Sequence, residues 1–184
     1  MSINFAILGL LEWKPMTGYD LKKVIQELPF MYWSGNNNQI YKALVQLSEA
    51  EAVTNIVQHQ DSLPSKKIYS ITDTGRTMLN EWLLSSEQEA PEFKKMFLIQ
   101  LAWAGHMPVE DIEVLLTKYE EVVKVHMIMK QEQKRRGNFF PNRTPREVYL
   151  WDMICDNMIS SYQSELDWIK NVKEGLNNLE VSVK

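Results

Sequence analysis

The sequence predicts a mainly α chain in two parts: three helices and a β-hairpin first, then long antiparallel helices. Three observations lead there. Apolar residues recur at helical spacing along most of the chain. Two short β-like runs, "VTNIVQH" and "KKIYSIT", flank the polar turn "QDSLPS", the form of a hairpin. The polar stretch "SSEQEAPE" then separates residues 1–86 from residues 87–184.

The elements follow in order. Ile3, Ala6, Ile7, Leu10 and Leu11 form the stripe of a first helix, which "KPMTG" ends. A second helix starts at Thr17. With Asp20 three residues on, Thr17 has the form of a capping box. Leu21, Val24, Ile25 and Leu28 supply its buried face, and Pro29 stops it. After "FMYW" comes "SGNNNQIYKALVQL", where Asn36 or Asn37 is a natural cap. Ile40, Ala43, Leu44 and Leu47 turn inward, so Asn38, Gln39, Lys42 and Gln46 face the other way, with Tyr41 and Val45 at the boundary. Beyond the hairpin, a fourth helix follows Asp73, with Met78, Leu79, Trp82 and Leu83 as its apolar positions.

The second part reads as helix throughout. Phe93, Met96, Phe97, Ile99 and Trp103 lie on a short helix ending near Gly105. Pro108, Glu110 and Asp111 suit the first turn of a long helix. Val109, Ile112, Leu116, Tyr119, Val123 and His126 are its stripe, and Lys134, Arg135, Arg136 and Gly137 end it. Thr144, Pro145 and Glu147 open the last helix as a capping box. Its near-heptad stripe runs from Val148 through Trp151, Cys155, Met158, Tyr162, Leu166, Ile169, Val172 and Leu176 to Leu179. Two helices alone cannot bury stripes this wide, so the remaining surface needs the N-terminal helices, a second subunit or both.

Composition excludes several classes. Of 184 residues, 45% are hydrophobic and 24% charged, which a folded globular chain needs and a disordered one lacks. No apolar run approaches the ~20 residues of a membrane span, and the N-terminus has no basic region before its apolar run. Cys155 is the lone cysteine, so no intrachain disulfide forms and a cytoplasmic setting is expected. His59, His106 and His126 have no metal-ligand spacing. The glycines are isolated, so no phosphate-cradling loop is present. Glu120 and Glu121 read as a solvated helix face, and His126 and Cys155 as packed core. No catalytic residue, metal or cofactor is expected.

A net charge of −4 means that any anion-binding surface must be local. The third helix offers one. From Ser34 to Ser48 there is one charge, Lys42, and no carboxylate. Three helices followed by a hairpin is the order of a winged helix-turn-helix, whose third helix enters the major groove. There Asn and Gln can pair with adenine, and Lys can reach guanine or phosphate. Lys66 and Lys67 lie just past the hairpin turn, where a wing could meet phosphates.

"ILGLL", "TGYDLKKVI", "NNNQIYKALVQLSEAEAV" and "KKIYSITDTGRTMLNEWL" together resemble the N-terminal domain of PadR-type transcriptional regulators. "FKKMFLIQLAWAG" and the two long helices resemble that family's C-terminal dimerisation region. Thr17 and Tyr19 match its start of the second helix, and Gln39, Ile40, Tyr41 and Leu44 its "QIYxxL" pattern. Thr72, Gly75 and Trp82 match the run after the wing. The resemblance implies a cytoplasmic homodimer, joined through its C-terminal helices, that binds an inverted-repeat DNA operator, usually as a repressor. It maps the recognition helix onto residues 37–49.

On this reading Gln39, Tyr41 and Lys42 are the first candidates for base or phosphate contact, with Asn37 and Asn38 next. Thr17, Tyr19, Lys66 and Lys67 would position the backbone. Trp103, Trp151, Trp168 and the many methionines could line a pocket between subunits for a small aromatic effector. The alternative is a winged-helix protein–protein interaction module without DNA binding. Two departures from the family pattern stand out. Ala52 occupies the place of a glycine after the recognition helix, which points to a differently built turn. The wing tip "DSLPSKK" lacks the usual Gly- and Arg-rich character.

Overall fold

A computed structural model describes residues 3–28, 37–58, 65–85, 90, 95–136 and 144–181. The chain divides into two compact units, Met1–Glu89 and Ala90–Lys184. Asn36, the wing turn at 59–64, Phe93 and the turn at 137–143 lie outside the described residues.

In the first unit, α1 (Ile3–Trp13) buries Ile3, Ile7, Leu8, Leu10 and Leu11. It is followed by a strand that the sequence did not reveal, β1 (Met16–Thr17). Two residues are too few to show a period; pairing with a later strand creates this one. Met16 lies opposite Tyr69 and Thr17 opposite Ile68, antiparallel. The sheet order is β1-β3-β2, with β2 (Val53–Gln58) and β3 (Lys66–Ile71) forming the hairpin. Its register pairs Val53 with Ile71 and Gln58 with Lys66. Tyr69 and Ile71 of the central strand are buried, whereas β2 is exposed beyond Val53.

The predicted capping box of α2 (Gly18–Glu27) is present. The Thr17 hydroxyl accepts from the Asp20 N–H at 3.1 Å, and the Asp20 carboxylate accepts from the Thr17 N–H at 3.2 Å. In α3 (Asn37–Glu49), Ile40, Ala43, Leu44 and Leu47 are all buried, as their spacing requires.

The end of α3 explains how the chain manages without a glycine at position 52. The Ala52 N–H donates to the Leu47 carbonyl at 2.9 Å and the Glu51 N–H to the Ser48 carbonyl at 3.1 Å. This is a Schellman ending. Its left-handed residue is Glu51, at φ 54°, while Ala52 follows it and is buried. The turn is then tied to α4 (Asp73–Ser85). The Thr72 N–H donates to the Ala52 carbonyl at 3.1 Å, and the Thr72 hydroxyl donates to the Glu51 carbonyl at 2.7 Å. The same hydroxyl accepts from the Gly75 N–H at 3.1 Å. A Cβ at Gly75 would lie 2.2 Å from the Ala52 carbonyl oxygen, so only glycine allows this approach. Farther along α4, Trp82 stacks on Phe5 of α1 with ring centroids 4.6 Å apart. Leu83, by contrast, is exposed.

In the second unit α5 (Met96–Ala102) and a short 3-10 turn precede α6 (Val109–Arg136) and α7 (Pro145–Val181). Pro108 stands one residue before α6, and its carbonyl accepts from the Asp111 and Ile112 N–H groups. The Thr144 box at the start of α7 is present: Glu147 accepts from the Thr144 N–H at 2.8 Å and donates its own N–H back to the hydroxyl at 3.3 Å. Contacts Glu120–Lys173, His126–Tyr162 and Lys134–Asp156 run in opposite senses, so α6 and α7 are antiparallel. Phe97 anchors the core with Ile112, Leu116, Val123 and Ile169. Tyr119 stacks on Phe97 at 3.7 Å between centroids, and Trp168 meets Phe97 edge-on at 6.2 Å. Beside them the largely buried Glu165 carboxylate accepts from the Tyr119 hydroxyl at 2.8 Å and from the Lys95 ammonium group. Burial first, then this hydrogen bond, raise the Tyr119 pKa, so the phenol stays protonated.

The seam between two helices is narrower than the sequence stripes. His126 was expected in the core but is exposed, its ring parallel to Tyr162. Val148 and Leu179, at opposite ends of the α7 stripe, are exposed too. On α5 only Phe97 is buried, while Met96, Ile99 and, just past the helix, Trp103 face outward. Glu120 is not a freely solvated carboxylate: it is half-buried and holds Lys124 and Lys173, joining α6 to α7. Hydrogen bonds from Lys124, then Lys173, lower its pKa.

Two substitutions should move stability in opposite directions. Gly75→Ala is expected to cost roughly 2–4 kcal/mol, because the new methyl meets backbone that cannot withdraw. Glu51→Gly is expected to gain about 1 kcal/mol by relieving the left-handed conformation. Urea unfolding of the full chain measures both. A Gly75→Ala chain as stable as the parent would contradict this account of the turn.

Candidate nucleic-acid interface

With one face of α3 committed to the core, the opposite face is left for a ligand. Asn38, Gln39, Lys42, Val45 and Gln46 are exposed there, together with Tyr41. The side chain of Asn37, at the first turn, lies outside what is described. The face carries amide groups, one ammonium group, a phenol and an isopropyl group. It meets no carboxylate until Glu49 in its last turn. Val45 is one turn beyond Tyr41, and both are more than half exposed. Sequence spacing left them at the boundary; the structure brings them onto the outward face. An exposed Val beside polar groups is suited to a thymine methyl, as amides are to adenine.

The other candidates surround this helix unevenly. Tyr19 is exposed in the first turn of α2. Thr17 is half-buried, and its hydroxyl both receives and donates hydrogen bonds within the capping box, donating to Asp20 at 2.7 Å. Lys66 and Lys67 are exposed at the outer end of the hairpin, opposite Gln58 and Val57. Neighbouring side chains on a strand leave opposite faces, so these two ammonium groups diverge. Where the exposed face of α3 borders α2, Tyr41 lies against Gly18, the first residue of α2. Tyr69 of β3 is near enough that Tyr41 contributes, after burial, to raising its pKa. Sequence analysis missed Gly18 and Tyr69, because their role depends on three elements meeting.

Among the described residues no group of His, Cys, Asp and Glu could hold a metal ion. No helix among them is long and apolar enough to cross a membrane. Cys155 is buried, and burial, then the charge of Asp152, raise its thiol pKa. Within one subunit the three tryptophans expected to line an effector pocket are spread out. Trp151 and Trp168 lie on the same helix, about 25 Å apart at about 1.5 Å rise per residue. Trp168 is packed on Phe97, and Trp103 is 75% exposed.

Comparison with known proteins gives a consistent picture. Residues 7–81 match the transcriptional regulator PadR-like family, and residues 93–177 match the virulence activator alpha C-terminal region. A negative transcriptional regulator, PadR of Bacillus subtilis, is 31% identical over 98 residues, 53% of this chain and 54% of its own length. The chain thus spans about half the length of that relative. A probable transcriptional regulator of Mycobacterium tuberculosis is 32% identical, with 96% of this chain and 98% of that protein aligned. Bacillus subtilis PadR solved with operator DNA superposes with a TM-score of 0.81 at 21% identity, covering 96% of this chain and 99% of that one. The same protein solved with p-coumaric acid gives 0.76 at 20% identity, with coverage of 96% and 99%.

The Cys155 thiol should react slowly. A raised pKa keeps it neutral at pH 8, and reactivity follows the thiolate. Alkylation by iodoacetamide at pH 8 is expected to be about tenfold or more slower in the folded chain than in guanidinium. Equal rates would show an accessible, ordinary thiol.

Proposed function

The chain belongs to the PadR-like family of transcriptional regulators, and from that premise we propose that it is a repressor that binds an inverted-repeat operator as a homodimer. Residues 1–86 bind DNA and residues 87–184 dimerise. The observation that carries this reading is the outward face of α3. It bears amides, Lys42, Tyr41 and Val45, and keeps carboxylates away on a chain of net charge −4. Such a helix can approach a phosphate-lined groove and still offer hydrogen-bonding groups to base edges. The Bacillus subtilis relative bound to operator DNA supports the same mode of action.

Dimerisation is supported by what the second unit leaves in water. Val122, Val125, Ile128 and Met129 on α6, and Tyr149, Leu150 and Met153 on α7, are exposed. A second copy would cover them, and two copies related by a twofold axis read two half-sites about 34 Å apart, or a multiple of that. A small aromatic effector is proposed from the p-coumaric acid complex of the relative. Within one subunit its site would use at most one of Trp151 and Trp168, given their separation along α7. Cytoplasmic location follows from the proposed role.

The test starts from a duplex that the parent chain selects from a randomised library, with a scrambled duplex as control. Gln39→Ala is expected to cost about 1–3 kcal/mol on the selected duplex and to relax preference at one base pair. Lys42→Ala should weaken both duplexes alike and lower the salt slope by about one per subunit. Anisotropy across a salt series reads both, beside thermal melts that should barely change. If both variants bind like the parent, α3 is not the reader. A parent that selects no duplex would favour the interaction-module reading.

Sedimentation gives a separate check on assembly. The full chain should sediment as a dimer at micromolar concentration. A monomer would remove the assigned role of the exposed α6 and α7 side chains.

A further inference from the structure

Gly18 is buried at the first position of α2, and its backbone does not lie in the left-handed region. An ordinary helical conformation does not require glycine, and propensity alone favours alanine there. The residue is glycine because of space. A Cβ built on it would lie 2.8 Å from Tyr41 Cε1, 3.3 Å from Cζ and 3.4 Å from the phenol oxygen. All three of its nearest atoms belong to that one side chain of α3.

Tyr41 thus sits where three elements meet. Gly18 follows directly on Met16 and Thr17 of β1, and Met16 pairs with Tyr69. Tyr69 in turn feels the Tyr41 phenol. Yet Tyr41 is 52% exposed, so a methyl at position 18 need not break the fold. The ring can swing outward into solvent instead. In a helix-turn-helix the first helix crosses the sugar–phosphate backbone while the second lies in the groove. A phenol held against α2 lies at the seam between those two contacts. A phenol swung outward stands in the way of close approach to the bases.

We propose that Gly18 is a specificity-determining position: its missing side chain seats the Tyr41 ring against α2, and that seat sets how closely α3 can approach base edges. The proposal rests on the DNA-binding reading above. Gly18 is a positioning residue that acts through Tyr41.

The experiment uses the full chain with Gly18→Ala, Tyr41→Leu and the double variant. Leucine has no atoms where Tyr41 carries Cε1 and Cζ. Gly18→Ala is expected to weaken binding to the selected duplex about tenfold or more and to change scrambled-duplex binding little, since non-specific binding rests on charge. In the Tyr41→Leu background the same substitution should add no further loss. A readout independent of DNA comes from 3-fluorotyrosine labelling, with the Tyr41 resonance assigned by Tyr41→Phe. That resonance should move toward the exposed position in Gly18→Ala. An unmoved resonance, an equal loss in both backgrounds or parent-like binding by Gly18→Ala each overturns the proposal. If the parent selects no duplex, the DNA-binding reading itself fails, and that failure appears before any variant is compared.

Discussion

The N-terminal unit depends on one backbone hydrogen bond, from the Thr72 N–H to the Ala52 carbonyl. It joins the end of α3 to the start of α4. Around it the Thr72 hydroxyl donates to the Glu51 carbonyl and accepts from the Gly75 N–H. Each such bond contributes only about 1 kcal/mol net, but together they fix the turn from several directions. The junction also requires Gly75 to have no side chain and Glu51 to accept a left-handed backbone. Because β3 runs straight into Thr72, the hairpin and α3 cannot turn independently. The angle at which α3 presents Gln39, Tyr41 and Lys42 is set here, not by those residues.

The second unit is organised around Phe97 and the Glu165 carboxylate. A partly buried charge is favoured when paired and hydrogen-bonded, and Glu165 has both Lys95 and the Tyr119 hydroxyl. That arrangement holds α5 against the antiparallel helices. In the same helices Val122, Val125 and Met129 turn outward while Leu116 and Val123 turn in. An apolar surface left outside by a satisfied core is what a subunit interface would use.

The overall acidity of the chain and its proposed attraction to DNA are compatible because charge is distributed by face. Glu120 and Glu132 are engaged with Lys and Arg on the second unit. The α3 face, in the other unit, carries Lys42 with no carboxylate before Glu49. Local composition, more than net charge, decides which side of such a protein an anion approaches.

Most elements were legible because their causes are local. Capping boxes at Thr17 and Thr144 are set by residues three apart, and the α3 core follows from a 3.6-residue period. The resemblance of "TGYDL", "QIYKAL" and "TDTGR" to PadR-type regulators also stood in the residues themselves. What sequence could not supply were features made by distant segments meeting. The strand at Met16 exists because Tyr69 lies beside it. The left-handed residue fell at Glu51, one position before the expected place, because the Leu47 carbonyl takes the N–H of Ala52. His126 and Val148 are outside because two packed helices bury only a narrow seam, whatever the width of their apolar stripes. Periodicity says which side chains share a face, but only packing in three dimensions decides which faces are covered and where Gly18 leaves room for Tyr41.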